Sequence, residues 1–166
     1  MKYKVITLNT KPTSFESLAF SATSGQSTIV VLLIYRPGSS AVTDVFFNEL
    51  TSIVETLIVF KCQILISGDI NIHVEKPDDS AAVKLANLLA SFDCVQHVSQ
   101  PTHAAGGILD LVITRSDQKL CDINVDPHGI ISDHGLVTFK LALDVQCPIN
   151  EQRTVRNWKK VDRTLF

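Results

Sequence analysis

ISGDINIHV (residues 66–74) sets a short apolar run against Gly68, Asp69, Asn71 and His73. With the residues before it, QILISGD (63–69) reads as a short buried strand whose polar residues are gathered at its C-terminal end. In an extended segment a spacing of two puts Asp69 and Asn71 on one face, with Ile70 directed the other way. A carboxylate beside an amide can do two jobs that one group cannot. Asp69 can orient or deprotonate a water, while Asn71 donates to a phosphoryl oxygen or holds the attacking water. Strand ends are where an α/β scaffold displays such groups, because the sheet fixes the backbone and the last residues lie outside the packed layers.

Outward from this strand, β and α signals alternate. STIVVLLIYRP (27–37) is a continuous apolar run stopped by Arg36-Pro37-Gly38, as expected of a central strand entering a turn. SFESLAFSAT (14–23) alternates like a half-exposed strand. Between Val42 and Phe60 the apolar positions recur at three and four, with Thr43 and Asp44 as capping candidates, which predicts an amphipathic helix. A second helix is predicted over Asp79 to Phe92. The remaining β signals are LDLVITR (109–115), CDINV (121–125) and GLVTFKLAL (135–143). Strands interleaved with two helices indicate an α/β domain, a sheet covered by helices, over residues 1–145. Residues 146–166 read as a polar, basic linker towards a further domain.

Of the 166 residues, 45% are apolar and 19% charged, a globular composition with enough apolar material for one hydrophobic core. No apolar run approaches the roughly 18 residues of a membrane span, and Met1 to Thr10 lacks the apolar core of a secretion signal. The expectation is an intracellular protein, nuclear or cytoplasmic, with no membrane partner. Cys62, Cys94, Cys121 and Cys147 stand singly with no C-x-x-C pair, so neither a zinc knuckle nor a redox motif is spelled out. The net charge of −2 gives no global basic field, but the charges are unevenly placed. Residues 68–133 hold ten Asp/Glu against four Lys/Arg, which suits metal binding, while 151–163 hold five Lys/Arg against two acids.

Two further strand boundaries carry the same cargo. Leu109-Asp110-Leu111 follows the turn-rich PTHAAGG, and Ser132-Asp133-His134 precedes GLVTFKLAL. Asp133 beside His134 offers a hard oxygen ligand for Mg²⁺ and a cation that can face a phosphate. Asp110 would fix the histidine's tautomer, the pairing of base and orienter found in acid–base sites generally. The assembled set suggests metal-assisted hydrolysis of a phosphate ester. His73, His97 and His103 read more simply as loop and turn residues.

GDIN, then THAAGGILDLVIT, then SDH, in that order, resemble the later motifs of the endonuclease/exonuclease/phosphatase superfamily, the fold of apurinic endonucleases and DNase I. SFESLAF, LLIYRPGSS and FFNELTSIVETL resemble more narrowly the endonuclease domains of non-LTR (LINE-type) retrotransposons. VRNWKKVDRTLF resembles the segment that follows that domain before the reverse transcriptase. The resemblance implies a four-layer α/β sandwich of two packed mixed sheets flanked by helices, a Mg²⁺ or Mn²⁺ ion at the strand ends, and DNA as substrate for a monomeric enzyme. It matches Asp69 to a water-activating aspartate, Asn71 to its neighbouring asparagine, and Asp110 to the partner of the catalytic histidine. Asp133 matches a late acidic metal-site residue, His134 the histidine facing the scissile phosphate, and Tyr35 a tyrosine near that phosphate.

The resemblance also calls for an asparagine at the end of a first strand and a metal-ligating glutamate after an intervening helix. Asn9 and Glu16 are seven residues apart, too close for a helix and a return strand. The expectation is therefore a domain that starts late, lacking N-terminal strands, with an exposed sheet edge, exposed apolar surface and weak or absent activity. A non-catalytic remnant and a phosphatase or phospholipase of the same fold are the competing readings.

Overall fold

The computed structural model describes residues 1–129 and 132–143. The expected boundary at 145/146, the basic segment after it and Cys147 lie outside the described residues. In chain order the elements are β1 (Lys2–Val5), β2 (Glu16–Ser24), β3 (Ser27–Tyr35), α1 (Asp44–Ile58), β4 (Gln63–Asp69), α2 (Ser80–Ser91), β5 (Cys94–Gln96), β6 (Asp110–Arg115), β7 (Leu120–Val125) and β8 (Val137–Leu141). The first six strands to pair form one mixed sheet in the order β1-β2-β3-β4-β6-β5, and β7 pairs with β8 in a second sheet. Among the described strands only β3 and β4 run parallel, joined by the crossover helix α1.

The continuous apolar run of β3 is explained by burial on both faces. Val30, Leu32 and Ile34 join Ile64 and Ile66 of β4 in a core closed by Phe46, Leu50, Ile53 and Leu57 of α1 and by Leu85 and Leu89 of α2. The alternate residues Ile29 and Val31 form a second cluster with Ala22, against which Leu141 of β8 packs. The described residues thus supply three layers: helices, a six-stranded sheet and a two-stranded sheet. Of the apolar surface expected to be exposed, Leu136 and Leu143, which flank β8, are exposed. On the larger sheet the cross-strand pair Leu18 and Leu33 is 48% and 41% exposed.

Most predicted elements are found within two or three residues of their expected ends. Thr43 occupies the N-cap of α1 but its side chain makes no capping bond, whereas Asp79 caps α2 by accepting from Ala81 N at 2.9 Å and Ala82 N at 3.0 Å. β5 was not anticipated, because three residues, Cys94-Val95-Gln96, are too few to show a period.

Residues 6–15 are irregular; Thr10 Oγ1 lies 3.0 Å from Ser52 Oγ of α1, and the carboxylate of Glu49 ties the segment to the same helix. Glu49 accepts from the backbone N and Oγ1 of Thr13 at 2.9 and 2.7 Å, and from the backbone N and Oγ of Ser14 at 3.0 and 2.6 Å. Burial works to raise its pKa, but these four bonds outweigh it and hold the carboxyl at about 2. A carboxylate with a depressed folded pKa contributes stability above its unfolded value and loses it as pH falls through the folded one. We expect the unfolding midpoint in urea to drop between pH 5 and about pH 2, and Glu49→Gln to flatten that slope. At neutral pH Glu49→Ala should cost about 1–2 kcal/mol, the range for charge-assisted bonds discounted for contact with solvent.

Candidate active site

Strand register assembles the site. Tyr35 of β3 lies beside Asp69 of β4, and Asp69 lies opposite Asp110 of β6, so three adjacent strands present Tyr35, Asp69 and Asp110 in one row on one face. Gly68, one residue earlier, has φ +140°, and a Cβ there would lie 1.9 Å from the carbonyl oxygen of Ile34. Glycine is therefore required for β4 to deliver Asp69 next to β3.

The chain leaves the strand immediately after Asp69. Asn71 is in the left-handed region, φ +53°, and so is not a continuation of the strand as the spacing argument assumes. The two side chains meet all the same, through a turn. Asn71 donates from its backbone N to Asp69 Oδ1 at 3.2 Å and from Nδ2 to Asp69 Oδ2 at 2.8 Å. Nδ2 also donates to the carbonyl of Arg36 at 2.8 Å, so both amide hydrogens are engaged. Donation from Asn71 to a phosphoryl oxygen would require giving up one of these bonds; as the structure stands, the amide orients Asp69.

This turn is held from beneath by Arg36, which is 2% exposed. Its Nε donates to Ile70 O at 2.7 Å, Nη2 to Asn71 O, and Nη1 to Ser40 O at 2.6 Å and Pro37 O at 3.2 Å. Its backbone N donates to Asp69 O at 2.9 Å. Burial pushes the guanidinium below its usual range, and the charge of Asp69 opposes that shift. In the sequence Arg36 reads only as a strand stop; the signal for its buried role is an arginine closing an otherwise apolar run, which needs acceptors once buried.

A second segment, 102–110, is anchored to the same strand ends. The hydroxyl of Thr102, fully buried, accepts from Leu109 N and Asp110 N at 3.0 Å each, which sets the start of β6. Glu75 accepts from Ile108 N at 2.9 Å through one oxygen and pairs with His73 Nδ1 at 2.6 Å through the other. His73 is thus engaged in tethering this loop. His97 is paired with Thr114 Oγ1 at 2.7 Å.

Across the row, Asp110 Oδ2 lies 2.7 Å from His134 Nδ1. Ligating atoms of Asp69, Asp110 and His134 all fall within 4.8 Å of one another. Asp133 points elsewhere: it is 70% exposed and 3.3 Å from His103 Nε2. Tyr35 is half exposed at the rim of the row. Asn9 and Glu16 are both exposed, Glu16 lying beside Tyr35 in the β2–β3 register. Burial raises the pKa of Asp69, as does the charge of Asp110, while His134 and the bonds from Asn71 oppose them. For His134 burial works downward, but the bond and charge of Asp110, with Asp69 and Asp133, win and raise it.

The chain belongs to the endonuclease/exonuclease/phosphatase family: residues 29–138 match the family described as endonuclease-reverse transcriptase. No curated protein sequence matches. Among solved structures the chain is similar to the endonuclease domain of TRAS1, a telomere-specific non-LTR retrotransposon, with TM-score 0.64 and 14% identity over 76% of this chain and 62% of that one. It is similar to a Neisseria 3′ phosphatase, NExo, bound to a product DNA hairpin, with TM-score 0.57 and 17% identity over 75% of this chain and 64% of that one. An endonuclease/exonuclease/phosphatase family protein from Leptotrichia buccalis matches with TM-score 0.55 and 12% identity, over 76% of this chain and 52% of that one. At these identities the likeness is one of fold, and the chain spans less than two thirds of each relative.

Two outcomes test this geometry. Arg36→Lys keeps the charge but loses the fork that reaches four carbonyls, and should destabilise the fold by about 3 kcal/mol in urea unfolding. Asp110→Asn should lower the pKa of His134, read from its ring protons by NMR. Because the folded pKa of His134 is raised, its pair with Asp110 stabilises the fold fully below the ordinary histidine range and less as pH rises through the raised value. The variant should lose that pH dependence.

Proposed function

We propose that this chain, over residues 1–145, is a divalent-metal-dependent phosphodiesterase of the endonuclease type that acts on DNA. The observation that carries the reading is the Asp69–Asp110–His134 constellation, three groups with ligating atoms within 4.8 Å of one another at adjoining strand ends. Asp69, held in place by Asn71, orients and deprotonates the attacking water, and its raised pKa suits a base. His134, whose pKa the bond and charge of Asp110 raise, faces the scissile phosphate and as the imidazolium offsets the charge that develops there. Tyr35, exposed at the same rim, contacts a phosphate oxygen.

The donor set fits a hard cation. Asp69 and Asp110 repel one another, and carboxylate oxygens are the ligands that Mg²⁺ and Mn²⁺ prefer. Asp69 and Asp110 would hold the ion, which when bound would supply charge neutralisation at the phosphate, whereas Asp133, the metal-site residue expected from the sequence, faces His103. The described residues bring no further glutamate to this cluster, so hydrolysis is expected to be slow.

DNA is preferred over a lipid phosphate because the sequence resemblance is to retroelement endonucleases and because the structural relatives include a retrotransposon endonuclease domain and a phosphatase bound to a DNA hairpin. A non-catalytic module is the second reading, favoured by the same shortage of carboxylates.

Supercoiled plasmid incubated with the purified chain and Mg²⁺ or Mn²⁺ separates them. Nicking should appear and fall by about 100-fold or more in Asp69→Ala and in His134→Ala, the usual cost of losing an acid–base group. Nicking no greater than in those variants would establish the non-catalytic reading.

A further inference from the structure

His134 belongs to a second group of ligands as well. His103, Asp133 and His134 offer three ligating atoms within 4.8 Å of one another. The two segments that carry them are fixed by backbone bonds: His103 and His134 form an isolated β-bridge, Ala104 N donates to Asp133 O at 2.8 Å, and Gly135 N donates to Thr102 O at 2.8 Å. The two imidazole rings pack edge to face with centroids 4.9 Å apart. This places the donors before any ligand arrives, which lowers the cost of binding.

The free atoms are identifiable. Nδ1 of His134 is taken by Asp110 at 2.7 Å, leaving Nε2 to ligate. A carboxylate behind the imidazole is the arrangement that orients metal-ligating histidines and raises their basicity. His103 accepts from Ala105 N through Nδ1 at 3.1 Å and lies 3.3 Å from Asp133 Oδ2 through Nε2. In the metal-free protein Nε2 therefore carries the proton and donates it to Asp133. Ligation through Nε2 moves that proton to Nδ1 at the expense of one exposed hydrogen bond to Ala105.

Two imidazoles and one carboxylate are the ligands of a three-coordinate protein site for zinc, with positions left for water. Magnesium prefers oxygen ligands and so favours the carboxylate side of the strand ends, whereas imidazole selects zinc and its neighbours in the transition series. We infer that His103, Asp133 and His134 form a binding site for an imidazole-preferring divalent metal, zinc above all. Asp133 is 70% exposed, so the ion exchanges with solvent. Zinc held here occupies Nε2 of His134, the atom that would face a phosphate, and so it inhibits hydrolysis. That consequence rests on the hydrolase reading; the binding does not.

Cobalt(II), a coloured substitute for zinc, reads out the site without substrate. Wild-type chain should develop visible absorption bands on Co²⁺ addition that Zn²⁺ abolishes and millimolar Mg²⁺ does not. His103→Gln retains a donor to Asp133 but no ligand, and should weaken Co²⁺ and Zn²⁺ binding by about 100-fold, with an unchanged circular dichroism spectrum and melting temperature. His103→Ala should weaken it equally, and Asp69→Asn should bind as wild type does. Equal affinity in wild type and His103→Gln, or displacement by Mg²⁺, overturns the inference. In nicking assays His103→Gln should keep the zinc-free rate and lose zinc inhibition. If wild type does not nick DNA at all, the hydrolase reading fails while the spectra still decide the metal site.

Discussion

A guanidinium buried beneath a turn is the constraint on which the site depends. Arg36 gathers the carbonyls of Ile70, Asn71, Pro37 and Ser40 around one cation and so joins the end of β3 to the end of β4. A buried charge is costly unless its hydrogen bonds are met, and here the backbone of the site itself meets them. The left-handed conformation of Asn71 is therefore over-determined: its carbonyl is fixed by Arg36, its amide by Asp69 and by the carbonyl of Arg36. Disturbing the cation disturbs the carboxylate above it.

The rest of the site is built by the same device of polar side chains bonded to loop backbone. Thr102 sets the first residues of β6 and with them Asp110; Glu75 ties the preceding loop to the segment after β4. None of these groups need touch a ligand, yet each restricts where a group that could is placed. The core supplies the rigid part, with α1 and α2 closed over one face of β3, β4 and β6.

Charge gives the assembled site its character. The charge of the adjoining Asp110 raises the pKa of Asp69, and His134 opposes that shift and is itself stabilised as a cation. The same imidazole also packs edge to face against His103 and has a ligating atom within 4.8 Å of those of His103 and Asp133. One residue is thus shared between a carboxylate environment suited to hard cations and an imidazole environment suited to softer ones.

The elements were legible from local pattern because β3, α1, β4 and α2 each carry an unbroken apolar period, and the motif order pointed to the family and its mixed α/β fold. The residues proposed for the chemistry carry a local signal too, since Asp69, Asp110 and His134 sit at strand boundaries where an apolar run breaks. What tertiary structure alone decided was geometry between segments distant in sequence. Register across β3, β4 and β6 put Tyr35, Asp69 and Asp110 in a row. A turn rather than a strand brought Asn71 to Asp69. The β-bridge between His103 and His134 turned Asp133 away from Asp69 and toward His103. The sequence determined which groups exist and which elements carry them, because periodicity is local. Only packing decided which groups meet, because the buried Arg36 and Thr102 find their partners in loops that the fold, not the sequence spacing, brings together.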